Sequence, residues 1–219
     1  MQMTISVSFT LLSVCCMCFL GVMLYQQFSK KAENLTVENS RQLLNQTAIN
    51  LEDYLRNMRR ISDAMYYSVI KNTDIGSESL EDAMTLLYEA NKDKLISVAC
   101  YTNDGKLTEA SPIATEKNGV DVKSQKWFQD AASELENFHF STPHVQNLFD
   151  DPSYRYYWVV SLSRTVELTR NGSSMQGVLL VDMNYSSIER ILDKANMSTV
   201  SSEYIYLMDT DGEIIYHPK

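Results

Sequence analysis

Residues 5–25 contain no charged side chain. Of all segments in the sequence, this one most strongly constrains the fold and the location of the chain. A helix of about 20 apolar residues crosses a bilayer core of about 30 Å, so the segment is long enough to span a membrane. A cleaved signal peptide fits less well, because the start has no Lys or Arg and no Ala-x-Ala site follows the apolar run. We therefore predict a retained membrane anchor over residues 1–29.

The polar remainder forms one block, since all 19 Lys and Arg and all 28 Asp and Glu follow the apolar segment. Lys30 and Lys31 lie next to the segment, and the positive-inside rule alone would place them in the cytoplasm. Long domains, however, cross largely regardless of charge. We predict a domain outside the cell membrane, and a bacterial one, because Cys100 is the single cysteine after the anchor and small animal ectodomains usually carry several disulfides.

Composition argues against several classes of function. A net charge of −9 disfavours nucleic acid and anionic lipid as partners, because both require a basic surface. None of the three histidines is spaced with a nucleophile or a metal ligand, and no Gly-rich phosphate loop occurs. Residues 209–213 resemble a calcium loop only weakly, because the third acidic position and the distant Glu are missing. We expect no catalytic site, metal or cofactor in this chain.

Residues 30–72 predict one long helix, called the stalk below, because they contain neither Pro nor Gly and repeat apolar residues at helical spacing. The stripe consists of Leu44, Leu51, Leu55, Met58, Met65 and Val69, with Ser62 at the empty step. Two interpretations remain open: a coiled-coil seam between two subunits, or a face on which a sheet rests. The second is commoner for a stripe this short. A further helix is predicted from about Ser79, with Asp82 in a capping box, to about Lys94.

Strand and turn signals dominate the rest of the chain. An apolar run at 95–101 ends in Asn103-Asp104-Gly105, a strong hairpin turn. Ser124 can cap a short helix, and Ser186 can cap another with Glu189. The remaining predicted strands are 138–146, interrupted by Pro143, 156–167, and 176–184, the last two joined by a turn at 171–172. Helices followed by antiparallel-type strands, without βαβ alternation, predict an α+β fold.

The last residues repeat an earlier plan. YIYLMDTDGEIIY at 204–216 has the same order of apolar strand, polar tip and Asp-Gly as VACYTNDGKL at 98–107. The separation of Gly105 and Gly212 corresponds to one small domain. We predict that residues 197–219 begin a second module like the first, and that the natural protein continues beyond Lys219, because a lone hairpin is marginally stable.

The segments SQKWFQDA, FSTPHVQN, YWVVSLSRTVE, GVLLVDMNYSSIERIL and YIYLMDTDGEIIYHP, in this order and spacing, resemble the double-Cache (dCache) extracellular sensor domain of bacterial receptors. The resemblance covers about residues 30–219. It implies two PAS-like antiparallel-sheet modules on one long helix, with a small ligand usually held in the membrane-distal module. The implied boundaries are 30–196 for the stalk and distal module and 197–219 for the start of the proximal module.

The amino-acid-binding pattern of that family is only partly present. It has Arg-x-Trp-Tyr on the short helix, whereas this chain has Gln125, Trp127 and Phe128 in the corresponding segment. It has a Tyr after the strand proline, where His144 stands, and an Asp in the GVLLVD strand, which is Asp182 here. The resemblance therefore implies a neutral or cationic small molecule, a sugar-like compound or a peptide more than an α-amino acid.

Asp182 is the strongest single candidate for ligand contact. The turn at 171–172 pairs it with Ser161 on one sheet face, where its apolar neighbours would bury the carboxylate. An intramolecular partner would satisfy such a carboxylate as well as a ligand would. The predicted ligand-binding set is Asp182, Trp127, Phe128, Tyr101, His144 and Ser161. For the aromatic residues and the histidine, a plain core or surface role is the commoner alternative.

Within the family, the stalk and the TPHVQN strand look most like YesM-like sensor histidine kinases. The sequence thus predicts the sensor of a two-component kinase whose catalytic module lies beyond Lys219, and it predicts a homodimer because such outputs work as dimers. Chemoreceptors and diguanylate cyclases use the same sensor and remain alternatives. A membrane-anchored adhesion module without signalling output is a third alternative, from a different class.

Overall fold

The computed structural model describes residues 2–71, 73–112, 115–133, 137–150, 157–197 and 203–218. The chain divides into two compact units, Met1–Gln46 and Thr47–Lys219. The stalk's predicted last residue, Asn72, the first residue of a predicted strand, Tyr156, and Lys219 lie outside the described residues.

The first unit is helical wherever it is described, as part of helix α1 (Gln2–Ala64). Within the apolar segment, the Ser13 hydroxyl donates to the carbonyl of Phe9 at 3.0 Å. This bond satisfies the hydroxyl, which would find no hydrogen-bond partner in a lipid core. By length and composition, one helix in the described part of the chain is suited to cross a membrane. This agrees with the predicted anchor.

The second unit is an α+β domain, as expected. The end of α1 continues as a π-helical turn, Met65–Ile70, and helices α2 (Glu78–Asn91), α3 (Lys126–Ser133) and α4 (Ser186–Asn196) follow along the chain. The strands are β1 (Leu95–Thr102), β2 (Leu107–Ser111), β3 (Thr115–Glu116), β4 (His139–Phe140), β5 (His144–Val145), β6 (Phe149–Asp150), β7 (Trp158–Arg170), β8 (Ser173–Asn184), β9 (Leu207–Met208) and β10 (Ile214–Tyr216).

One antiparallel sheet organises this unit. Its order is β2-β1-β8-β7-β4, and β5 also pairs with β7. The long hairpin of β7 and β8 turns at Asn171 and Gly172, whose φ angles are 51° and 75°. Two consecutive positive φ angles are those of a type I′ turn, which fixes the register of a two-residue hairpin. Two further pairs, β3 with β6 and β9 with β10, lie outside this sheet.

Two apolar clusters cover the two faces of the sheet. On one face pack the stalk, α2 and α4, with Met58, Met65 and Met84 fully buried. On the other face pack α3, Val122 before it, and Leu148 and Phe149 at β6. In the predicted stripe, Met58, Ser62, Met65 and Val69 are buried, whereas Leu44 and Leu55 remain 50% and 38% exposed. The stripe is therefore the surface on which the sheet rests from Met58 onward.

Three local predictions were wrong. The Ser79 cap fails because α2 already begins at Glu78, directly after Ser77, whose hydroxyl donates to the Asp74 carbonyl rather than capping the helix. Ser186 is not the cap of α4, because the side-chain oxygen of Asn184 accepts from the Ser186 amide. Ser124 belongs to a 3₁₀ turn (Val122–Ser124) that precedes α3, and the Asp121 side chain accepts an amide of that turn.

Candidate functional site

A row of three polar side chains crosses the middle of the sheet on the α3 face. In the register, Ser97 of β1 and Ser161 of β7 both pair with Asp182 of β8, one from each side. The predicted pairing of Ser161 with Asp182 is thus confirmed. Because side chains alternate between faces along a strand, the three lie on one face together.

The Asp182 carboxylate is buried, and its hydrogen-bond partners among the described residues are neutral. Its side chain is 1% exposed and accepts hydrogen bonds from Ser161 Oγ at 2.5 Å and Ser97 Oγ at 2.9 Å. Burial raises its pKa, and the two hydroxyls and nearby His144 only partly offset this. An ionised carboxylate has about four acceptor positions, so two hydroxyl donors leave acceptor capacity unused. The group is therefore suited to receive further N–H or O–H donors.

His144 extends the polar row towards the edge of the sheet. Its Nε2 lies 3.4 Å from Ser161 Oγ, and its Nδ1 lies 2.9 Å from the carbonyl oxygen of Thr142. The imidazole thus contacts the same serine that bonds Asp182, and the structure links all three side chains in one polar chain.

An aromatic cluster lies on the same face of the sheet. The rings of Tyr101 and Trp127 have centroids 5.5 Å apart at 50°, and Phe128 meets Trp127 edge-on at 5.7 Å. All three side chains are buried. Aromatic pairs in such tilted arrangements stabilise each other beyond their burial alone. The cluster forms an apolar wall on the face that also carries the carboxylate.

Two hydroxyls of β7 fix α3 against the sheet. Ser163 Oγ donates to the Trp127 carbonyl at 2.8 Å, and Thr165 Oγ1 donates to the Ala131 carbonyl at 2.5 Å. Both are on the face of β7 that carries Ser161, because they follow it at intervals of two. The position of Trp127 is therefore tied to the strand that bonds Asp182.

The Tyr101 hydroxyl is buried without a hydrogen-bond partner among the described residues. Its pKa is raised, first by burial and then by the negative charges of Glu116 and Asp182. A buried donor without a partner costs about 1–3 kcal/mol, and such groups are rare in folded proteins. A ligand oxygen or a bound water would remove this cost.

The structure places all six sequence-predicted residues on one face of the sheet, although their role in binding stays a prediction. Sequence reasoning missed Ser97, the second donor to Asp182. The two-residue alternation along β1 could have identified it, because Ser97 lies on the same face of the strand as Ala99 and Tyr101. Alternation along β7 predicts Arg164 on the face opposite Ser161, with a salt-bridge partner there, and its Nη1 lies 2.8 Å from the Asp63 carboxylate. In the described part of the chain, no group of three or more His, Cys, Asp or Glu is placed to hold a metal ion.

Comparison with known proteins gives one family and a set of related structures. The model of the Cache domain family, dCache_1, matches residues 28–219. No curated protein matches the sequence. At less than 25% identity, the likeness to the following solved structures concerns the fold alone.

Three solved ligand-binding domains of bacterial chemoreceptors illustrate the likeness. That of Pseudomonas fluorescens CtaA, in complex with L-isoleucine, is 19% identical with a TM-score of 0.60 and covers 84% of this chain and 71% of its own. That of Pseudomonas aeruginosa PctC, in complex with GABA, is 19% identical with a TM-score of 0.60, covering 80% and 72%. That of Campylobacter jejuni Tlp3, in complex with 4-methylisoleucine, is 15% identical with a TM-score of 0.59, covering 82% and 68%.

Proposed function

This chain belongs to the Cache domain family, and from that premise we propose that it is the extracellular small-ligand sensor of a bacterial transmembrane signalling receptor, anchored through residues 5–25. The observation that carries the proposal is the buried carboxylate of Asp182, which has two hydroxyl donors and, within the described residues, no cation among its hydrogen-bond partners. Burying an unpaired charge is costly, so its presence favours a function that supplies the missing partner.

The ligand that fits this site brings a donor group to Asp182 and an apolar or planar surface to Trp127. An ammonium or a pair of hydroxyls would fill the free acceptor positions of the carboxylate. The chemoreceptor domains of similar fold are in complex with amino acids. Here Gln125 stands where the family's amino-acid pattern has a carboxylate-binding Arg, so we infer an amine, a sugar-like compound or a peptide N-terminus rather than an α-amino acid.

The signal would pass from α3 through β7 to the stalk. Ser163 and Thr165 bond α3 on one face of the strand, while Arg164 between them points to the other face. There its guanidinium bonds Asp63 and lies 5.0 Å from the ring centroid of Tyr66, in the π-helical turn. A ligand that repositions α3 therefore acts on the turn through one strand.

The π-helical turn is the element of the stalk best suited to exist in two arrangements. Lys71 N–H donates to the Tyr66 carbonyl five residues earlier at 2.9 Å, so the turn holds one residue more than a regular α-helical turn. Returning to α-helical hydrogen bonding would change the register of α1 against the sheet. Such turns occur often at functional sites, and a ligand shifts an equilibrium between two arrangements by its difference in affinity for them.

We propose a homodimer and a histidine kinase output, because the stalk and the TPHVQN segment resemble YesM-like kinases. A chemoreceptor output is the second candidate, and the solved domains of similar fold come from chemoreceptors. A diguanylate cyclase and an anchored adhesion module remain further alternatives. The coding sequence after Lys219 distinguishes them: a second apolar span with a phosphoacceptor helix supports the kinase, and a stop codon close to Lys219 would contradict the receptor.

A thermal-unfolding screen tests the sensor proposal. The full chain in lipid nanodiscs is heated with a panel of primary amines, sugars and short peptides, and with Asp182→Asn as the matched variant. A ligand at about 100 times its Kd stabilises the folded state by about 2.7 kcal/mol. We expect at least one compound to raise the unfolding temperature of the wild type clearly more than that of Asp182→Asn. Equal shifts in both proteins would refute a site at Asp182.

A further inference from the structure

A second cleft, separate from the Asp182 carboxylate, lies at the start of β7. Its volume is about 580 Å³, which is in the range of small-molecule sites. Four segments form it: residues 142–143, the start of β7 at 157–158, the start of α4, and residues 213–215 at β10. Asp182, Tyr101 and Trp127 do not line it.

Hydrogen bonds join the walls of this cleft. The Tyr185 hydroxyl donates to the Ile215 carbonyl at 2.8 Å, and the Tyr185 amide donates to the Trp158 carbonyl at 3.0 Å. The Gln146 amide donates to the Tyr157 carbonyl at 2.9 Å. These bonds hold the β10 strand, the start of α4 and the start of β7 together, so the cleft is pre-formed rather than a gap between independent surfaces.

The lining combines aromatic rings with carboxylates. Trp158 is 54% exposed at the cleft, and Tyr157 beside it is half-buried. Glu189 and Glu213 are both exposed and contribute negative charge, and no described lining residue is Lys or Arg. Neither glutamate forms a salt bridge within the described residues. Thr142 and Ser186 add hydroxyls to the wall.

We propose that this cleft is a second binding site, specific for a small organic cation such as an alkylammonium ion. An aromatic face attracts a cation through its quadrupole, and this attraction is strongest for Trp. The two carboxylates supply the opposite charge. A neutral ligand would gain little from the aromatic ring or the carboxylates, and an anionic ligand would be repelled by the carboxylates. The site is independent of the proposed sensor function, because no lining residue belongs to the predicted ligand set.

The chain connects this second site directly to the polar row on the sheet. Pro143 lines the cleft and directly precedes His144, whose imidazole contacts Ser161 in the polar row. A cation in the cleft would therefore bind next to β5, the strand that carries His144 at one end of the polar row. This places the second site where it can modulate the first.

The two tryptophans of the chain provide a direct test, because one lies in each site. The full chain with Trp127→Phe, in phosphatidylglycerol nanodiscs that contain no choline headgroups, is titrated with choline chloride at constant ionic strength while Trp158 emission is followed. The neutral comparison compound is 3,3-dimethyl-1-butanol, the carbon isostere of choline. We expect a saturable change with choline and at least about tenfold weaker binding of the isostere.

Charge variants test the role of the carboxylates. Glu189→Gln with Glu213→Gln should weaken choline binding at least about tenfold, whereas Glu78→Gln, an exposed glutamate on α2 outside the cleft, should leave it unchanged. Circular dichroism checks that each variant is folded. The proposal is overturned if choline gives no saturation, if the isostere binds equally well, or if the double variant keeps the wild-type affinity.

Discussion

Replacing Asp182 by Asn should reduce the pH dependence of the protein's stability. Burial raises the pKa of Asp182 above the usual value of 3.8, so the folded protein binds this proton more tightly than the unfolded chain does. The contribution to stability is then full below the unfolded-state pKa and is lost as the pH rises towards the folded-state pKa. An asparagine side chain at this position is neutral at every pH. The variant would therefore lose no stability from this position as the pH rises between the two pKa values.

The size of the effect has a clear upper limit. One proton changes the free energy of unfolding by at most about 1.4 kcal/mol per pH unit, or about 2.7 kcal/mol between about pH 4 and pH 6. For a chain of about 200 residues this corresponds to a fall of up to about 10 °C in unfolding temperature. The Asp182→Asn variant should therefore be at least as stable as the wild type near neutral pH, because the variant side chain does not ionise.

Thermal unfolding of the full chain in nanodiscs, followed by circular dichroism at about pH 4, 5, 6 and 7, measures this difference. Asp104→Asn is the control that should keep the wild-type pH profile over this range, because its carboxylate loses its charge only at lower pH. The hydrogen bond from Thr102 lowers the pKa of Asp104, so its contribution is present above the unfolded-state pKa and is lost as the pH falls. Parallel pH profiles for the wild type and Asp182→Asn would refute the conclusion that burial raises the pKa of Asp182.

Five further substitutions, at four positions, test the packing, each by the free energy of unfolding in urea. Gly177→Ala should destabilise by about 1–3 kcal/mol or more, because its Cβ would collide with the Tyr101 carbonyl oxygen at the sheet centre; an unchanged midpoint would contradict the register. Asp63→Ala should cost about 3 kcal/mol, because it leaves the buried Arg164 cation unpaired. Arg164→Met should cost less, because the Asp63 carboxylate that it leaves unpaired is 40% exposed to solvent. The reverse order would be inconsistent with the ion pair. Asn171→Val should destabilise and Asn171→Gly should not, because φ is 51° at this turn position.

The sheet could be predicted where a local signal determined long-range pairing. The Asn-Gly turn at 171–172 fixed the register of β7 and β8, which placed Ser161 beside Asp182. The alternation along β7 likewise placed Arg164 on the stalk face, where it pairs with Asp63. In both cases a two-residue period and one turn were sufficient.

Other features depend on contacts between segments that are distant in the chain. Ser97 was missed because the pairing of β1 with β8 has no connecting turn and contains an irregularity between Leu95 and Ser97. The π-helical turn has no signature in the apolar spacing of the stalk. The cap predicted at Ser79 was wrong because α2 already begins at Glu78, and the cap predicted at Ser186 was wrong because Asn184 accepts from the Ser186 amide. The second cleft was not predicted, since four separated segments form it.

The central claim is that a ligand binds against the Asp182 carboxylate. Isothermal titration of the full chain with the compound selected by the thermal screen measures this directly, in the wild type and in Asp182→Asn. Loss of a charged hydrogen-bond partner in a buried site is worth about 1.5–3 kcal/mol, so the account predicts binding about 10–150 times weaker in the variant. Equal affinity in the two proteins would contradict the account and would move the ligand away from this face of the sheet.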